Sequence, residues 1–142
     1  MASIKVVKKA YGSDSTPEEI ELLRSRVYKY DENTIYWHEG PITTKFQIEV
    51  YLDKMIELTE GLGGFFLIIN LVESAPPDAK IRRQLSEGFK AFDGVIAKVA
   101  VFTEKNFLLN TAAKFVLSRA FGHANVFIEK TLESALKRLK VG

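Results

Sequence analysis

The sequence predicts an α/β domain: a mainly parallel sheet with an antiparallel hairpin at its edge, about four packed helices and a short N-terminal extension. Two observations on the residue pattern carry this expectation. From residue 24 onward, β-prone runs alternate with amphipathic segments of helical length, the order that βαβ crossovers produce. The run FFLIINL at residues 65–71 is continuously apolar, as in a strand covered on both faces. Size supplies a third: 142 residues, 46% hydrophobic and 27% charged, make one domain that buries about two thirds of its unfolded surface. Residues 1–22 read as the extension with its short helix, and residues 23–142 as a single domain.

Each element follows from local chemistry. Around Tyr11, Gly12, Ser13, Asp14 and Ser15 the composition is that of a loop behind a short arm. Thr16-Pro17-Glu18-Glu19 starts a helix: Thr caps it, Pro occupies the first turn where its missing N–H costs nothing, and Glu19 closes a capping box. Val27-Tyr28-Lys29-Tyr30 and Thr34-Ile35-Tyr36-Trp37-His38 are β-prone runs around the polar turn Asp31-Glu32-Asn33, a hairpin pattern. Thr44 with Gln47 offers a second capping box, and Ile48, Leu52, Met55 and Ile56 recur at helical spacing until Gly61, Gly63 and Gly64 stop the helix.

The central strand at 65–71 is followed by a loop ending in Pro76-Pro77-Asp78. Ile81, Leu85, Phe89 and Phe92 then repeat every three or four residues opposite Lys80, Arg83, Glu87 and Lys90, an amphipathic helix with a narrow buried stripe. Residues 97–102 form another apolar strand. Thr103 is placed to cap a helix from about Glu104 to Phe121, closed by Gly122. Residues 125–128 make a short strand, and Thr131 begins a last helix carrying Leu132, Ala135, Leu136 and Leu139.

Several functions are disfavoured by composition. Twenty Lys and Arg stand against 18 Asp and Glu for a net charge of +2, spread from Lys5 to Lys140, so no nucleic-acid footprint is expected. The chain has no Cys, which removes disulfides, Cys nucleophiles and thiolate metal sites and suits a reducing compartment. The N-terminus lacks an apolar signal core, and no segment approaches the ~20 apolar residues of a membrane span. A cytoplasmic protein with no membrane span is expected.

The element order resembles the SpoIIAA-like, or STAS, family of anti-sigma-factor antagonist domains, in particular its divergent branch of small bacterial proteins. The resemblance rests on residues 65–71 with the loop and helix that follow, on residues 97–102, on Asn106-Phe107-Leu108-Leu109 through Phe121-Gly122, and on Val126-Phe127-Ile128 leading into Leu132-Glu133-Ser134-Ala135-Leu136. It spans roughly residues 24–140 by element order and hydrophobic spacing. It implies a non-enzymatic regulatory domain that binds a protein partner. In the family's regulatory members the loop after the central strand ends in Asp-Ser-Ser-Gly, whose first Ser accepts phosphate at a helix N-terminus. Here Asp78-Ala79-Lys80-Ile81 occupies that place, so the resemblance implies a contact surface at residues 74–83 without the phosphorylation switch.

Other constellations are weaker. Ser74 offers a displaced hydroxyl, but a Ser in such a loop ordinarily bonds nearby backbone. Asp78 reads first as an N-cap. His38 and His123 are the only histidines and show no paired spacing for a metal or acid–base site. Glu73 and Asp78 lie five apart across the Pro-Pro loop with no visible base or nucleophile. Gly61-Leu62-Gly63-Gly64 precedes a strand, the reverse of a phosphate loop. No catalytic residue, metal ligand or cofactor is expected.

Tyr28, Tyr30, Tyr36 and Trp37, near Arg24, Arg26 and Lys29, have the residue types of a single-stranded nucleic-acid platform, yet cross-strand packing explains them without a ligand. On the helix ending at Phe121, the apolar residues Leu108, Leu109, Ala112, Ala113, Phe115, Val116 and Ala120 cover a wider arc than one sheet contact needs. Phe107 falls on the polar side, either as an anchor for a protein partner or a second copy of the chain, or covered by the preceding loop. Ser74, Asp78, Ala79, Lys80, Arg83 and Phe107 are thus the expected partner-binding residues. The alternative is a lipid or other apolar ligand bound in a Sec14-like manner, with Phe65, Phe66, Phe89, Phe92, Phe115 and Phe121 as lining.

Overall fold

In the computed structural model, which describes residues 15–104 and 106–140, chain order is also sheet order. Helix α1 (Pro17–Arg24) leads into the hairpin β1 (Val27–Asp31) and β2 (Thr34–His38). Then follow α2 (Lys45–Thr59), β3 (Phe65–Asn70), α3 (Ala79–Lys90), β4 (Ile96–Phe102), α4 (Phe107–Phe121), a short 3-10 turn, β5 (Val126–Glu129) and α5 (Leu132–Lys140). The five strands lie in the order β1-β2-β3-β4-β5, with β1 antiparallel to β2 and the rest parallel. The expected mainly parallel sheet with an antiparallel edge is therefore present, with five helices among the described residues.

Strand register sorts the side chains by face. Trp37 pairs with Ile69 and Ile69 with Val101, while Tyr36 pairs with Ile68 and Ile68 with Ala100. Because neighbouring residues point to opposite faces of a strand, the first row joins the main core and the second a smaller one. The main core takes Ile48, Tyr51 and Met55 from α2, Ile81, Leu85 and Phe89 from α3, and Leu109, Val116 and Leu117 from α4. The smaller core sets Tyr36, Ile68, Ala100 and Phe102 against Ala135 and Leu139 of α5. The sheet is covered on both sides, which is why 65–71 reads as one apolar run.

The caps form as the sequence dictates. The Thr16 hydroxyl accepts from the Glu19 amide at 3.1 Å, and the Glu19 carboxylate accepts from the Thr16 amide at 2.8 Å. Thr44 and Gln47 make the same reciprocal pair ahead of α2. Gly122 ends α4 at a φ of 83°, a conformation that favours glycine.

Three expectations are corrected. The helix expected from Glu104 begins at Phe107: Glu104 has a φ of 61°, which breaks a helical path, and the cap is Asn106, whose Oδ1 accepts from the Leu109 amide at 3.0 Å. Thr103 is buried and bonded to Asn110 instead. Ile56 is exposed, because the inward stripe of α2 runs through Ile48, Tyr51 and Met55. Helix α1 packs on α2 through Ile20 against Val50. The loop expected over residues 11–15 lies, Ser15 apart, outside the described residues.

Candidate functional site

Parallel strands point their C-termini the same way, so the chain segments leaving β3 and β4 emerge side by side. The β3–α3 loop and the first turns of α3 and α4 therefore share one edge of the sheet. Pro77 of that loop and Leu109 of α4 line one small cavity, together with Leu85 and Val116. The Ser86 hydroxyl donates to the Val116 carbonyl at 3.0 Å and ties the two helices together.

The expected partner-binding residues divide into two groups at this edge. Asp78 caps α3, its Oδ1 accepting from the Ile81 amide at 2.8 Å. Ala79, Lys80 and Arg83 are exposed along the start of the helix. Phe107, at the first position of α4, is 76% exposed, and Leu108 beside it is 69% exposed. Among the described residues no loop covers Phe107, which removes one of its two readings. Ser74 belongs to the other group: it is half-buried and turned inward, donating to Glu39 Oε2 at 2.9 Å and approaching the Gly40 carbonyl at 3.3 Å.

Glu39 is the residue that sequence reasoning missed. It follows β2, its amide donates to the Asn70 carbonyl at 3.0 Å, and its carboxyl is buried. The Trp37 indole donates to Oε1 at 3.1 Å, and Ser74 to Oε2. Burial pushes this carboxyl up to about 7, against the lowering effect of the Ser74 and Trp37 hydrogen bonds. Beside it lies an apolar cavity of about 30 Å3, lined also by Ile69, Phe89 and Leu117. That is room for a water molecule or two, far below the roughly 300 Å3 at which ligand pockets begin. Glu39 acts as a catch holding the β3–α3 loop to the end of β2. Its sequence neighbours His38 and Gly40 gave no periodic signal of burial.

Outside the catch, Arg26 reaches the His38 carbonyl at 3.2 Å and Glu73 at 3.4 Å, and His38 Nε2 lies 3.4 Å from Glu73. Glu73 and Asp78 thus serve different partners. Among the described residues no group of three His, Cys, Asp or Glu is placed to hold a metal ion. The hairpin tyrosines stack on one another, Tyr28 on Tyr36 at 5.0 Å and Tyr30 on Tyr36 at 6.2 Å between ring centroids. Trp37 points to the opposite face and is fully buried against Tyr51 and Phe89. The four aromatics do not form one platform.

The wide apolar arc on α4 resolves into two stripes. Leu109, Ala113, Val116, Leu117, Ala120 and Phe121 face the sheet. Leu108 and Phe115, seven residues apart on the same side of the helix, face outward, with Phe115 50% exposed under the Arg119 guanidinium at 5.4 Å. Phe115 therefore stands outside the core, whereas Phe65, Phe89, Phe92 and Phe121 are buried and only Phe89 of these lines the small cavity.

Fold and site together define a mixed α/β domain with a five-stranded sheet and an exposed apolar and basic surface over α3 and α4. Among the described residues no helix is long and apolar enough to cross a membrane. No protein-family model, curated protein or solved structure matches the chain.

Proposed function

We propose that the domain is a non-enzymatic regulatory or scaffolding module that binds a protein partner through the β3–α3 loop, the start of α3 and the first turn of α4. The observation that carries this reading is the exposure of Phe107 and Leu108 next to each other at the sheet edge where Lys80 and Arg83 also stand free. Adjacent exposed apolar side chains rimmed by charge are the surface chemistry of protein contacts.

The resemblance of the sequence to the STAS family points the same way. In this reading the surface is constitutive: Ala79 has no hydroxyl at the family's acceptor position, and the Ser74 hydroxyl is engaged with Glu39. A lipid-binding role has less support, since the apolar cavity at the core encloses about 30 Å3. The test is a pull-down from cell extract with the full chain and its Lys80→Glu, Arg83→Glu and Phe107→Ala variants. Recovery of the partner should fall with each change. Equal recovery by all three variants would remove this surface from consideration.

A further inference from the structure

Between α3 and α4, on the side away from the sheet, runs a groove of about 320 Å3. Arg82, Arg83 and Lys90 line it from α3, Phe115 and Arg119 from α4, and Glu87 is the one acidic residue lining it among the described residues. Arg82 donates to the Pro77 carbonyl at 2.8 Å. Arg83, Lys90 and Arg119, with Lys114 on the next turn of α4, form no ion pair among the described residues. Arg119 lies over the Phe115 ring, which holds a cation beside an exposed aromatic. In the adjoining depression, lined by Lys114, Phe115 and Arg119, the Ser118 hydroxyl is buried and has no hydrogen-bond partner among the described residues.

We infer that this groove is the docking site for an acidic segment of a partner protein, one that sets a carboxylate row against Arg83, Lys90 and Arg119 and an apolar side chain on Phe115. The inference rests on the contact-surface reading and names the chemistry of the partner. Charge complementarity selects the occupant. The chain's own residues 1–14 do not fit, since they carry Lys5, Lys8 and Lys9 against a single Asp14. A second copy fits less well, because the carboxylates of its acidic flank, Glu21, Asp53 and Glu57, already surround Arg24. An amphipathic acidic segment supplies both requirements at once, the mode in which helices enter grooves.

The test uses the full chain and a fluorescein-labelled synthetic helix with Glu on one face and Leu on the other, together with its Gln-for-Glu analogue, read by fluorescence anisotropy. The Glu peptide should bind and weaken as salt rises. Binding should fall roughly tenfold or more in the Arg119→Gln, Phe115→Ser double variant and again in Arg83→Gln, Lys90→Gln, which alters the other wall. Thermal melts check that both variants fold.

Equal affinity for the Gln peptide, or unchanged binding by both variants, overturns the inference. So does tighter binding of a single-stranded oligonucleotide in competition, or self-association of the chain that the same variants abolish. A failed groove leaves partner recovery still sensitive to Lys80→Glu and Phe107→Ala. A failed contact surface leaves the peptide bound while those two changes move nothing.

Discussion

Ionisable side chains serve opposite ends in two regions of this molecule. Toward α1, α2 and the end of β2 they are taken inside: Arg24 is buried among Glu21, Asp53 and Glu57, and Glu39 is buried under Trp37 and Ser74. Along α3 and α4 they stand outside, with Arg83, Lys90 and Arg119 beside an exposed aromatic. Buried charges fix geometry because leaving either partner alone is costly. Surface charges without partners add little to stability and are free for a ligand.

The largest effect expected on the buried side is at Glu39. Its carboxyl moves from 4.5 to about 7 on folding, so the folded state holds the proton more tightly than the unfolded chain. The associated stabilisation is complete below about 4.5, and it is lost as pH rises to about 7. It amounts to roughly 3 kcal/mol. Glu39→Gln should flatten this slope, as measured by urea unfolding at a series of pH values; wild-type and variant curves running parallel would contradict it.

Arg24→Met comes next. It keeps the stem but strips the cation from Asp53 and Glu57, and because these carboxylates are partly exposed the expected loss is about 2 kcal/mol, below the fully buried range. A urea midpoint unchanged from wild type would show that the cluster is a surface network. Asp78→Ala should cost about 1 kcal/mol through the lost cap, read as a lower thermal midpoint. Smallest of all, Arg119→Gln and Lys90→Gln should each stay within about 0.5 kcal/mol of wild type. A larger loss at either would mean that the groove, too, is structural.

The difference between the two regions also sets what was legible in the sequence. Caps, strands and the main stripes depend on neighbours a few residues apart, so Thr16 with Glu19, Thr44 with Gln47, and Ile81 with Leu85 and Phe89 announced their elements. The surplus apolar arc on α4 was visible as well, but not which part of it would face outward. Glu39 was hidden because its burial depends on Trp37, two residues away, and on Ser74, 35 residues away. Thr103 was misread for the same kind of reason: its partner is the Asn110 side chain, while Asn106 takes over the cap. The STAS resemblance is a reading of element order and hydrophobic spacing in the sequence.

Sheet order that follows chain order has a consequence for synthesis. Each new strand finds its neighbour already made, but every parallel pairing closes across a whole helical crossover, Thr34 with Phe66, Phe65 with Ile96 and Val99 with Val126, and such non-local pairing is intrinsically slow. The second face is different, because Ile68 and Ala100 wait for Ala135 and Leu139 of the last described helix. Lys140 then reaches Asp31 at 2.9 Å, joining late chain to early. A ribosome-bound chain that has not yet released α5 presents a bare apolar sheet face, and that is the stage at which a chaperone has something to hold.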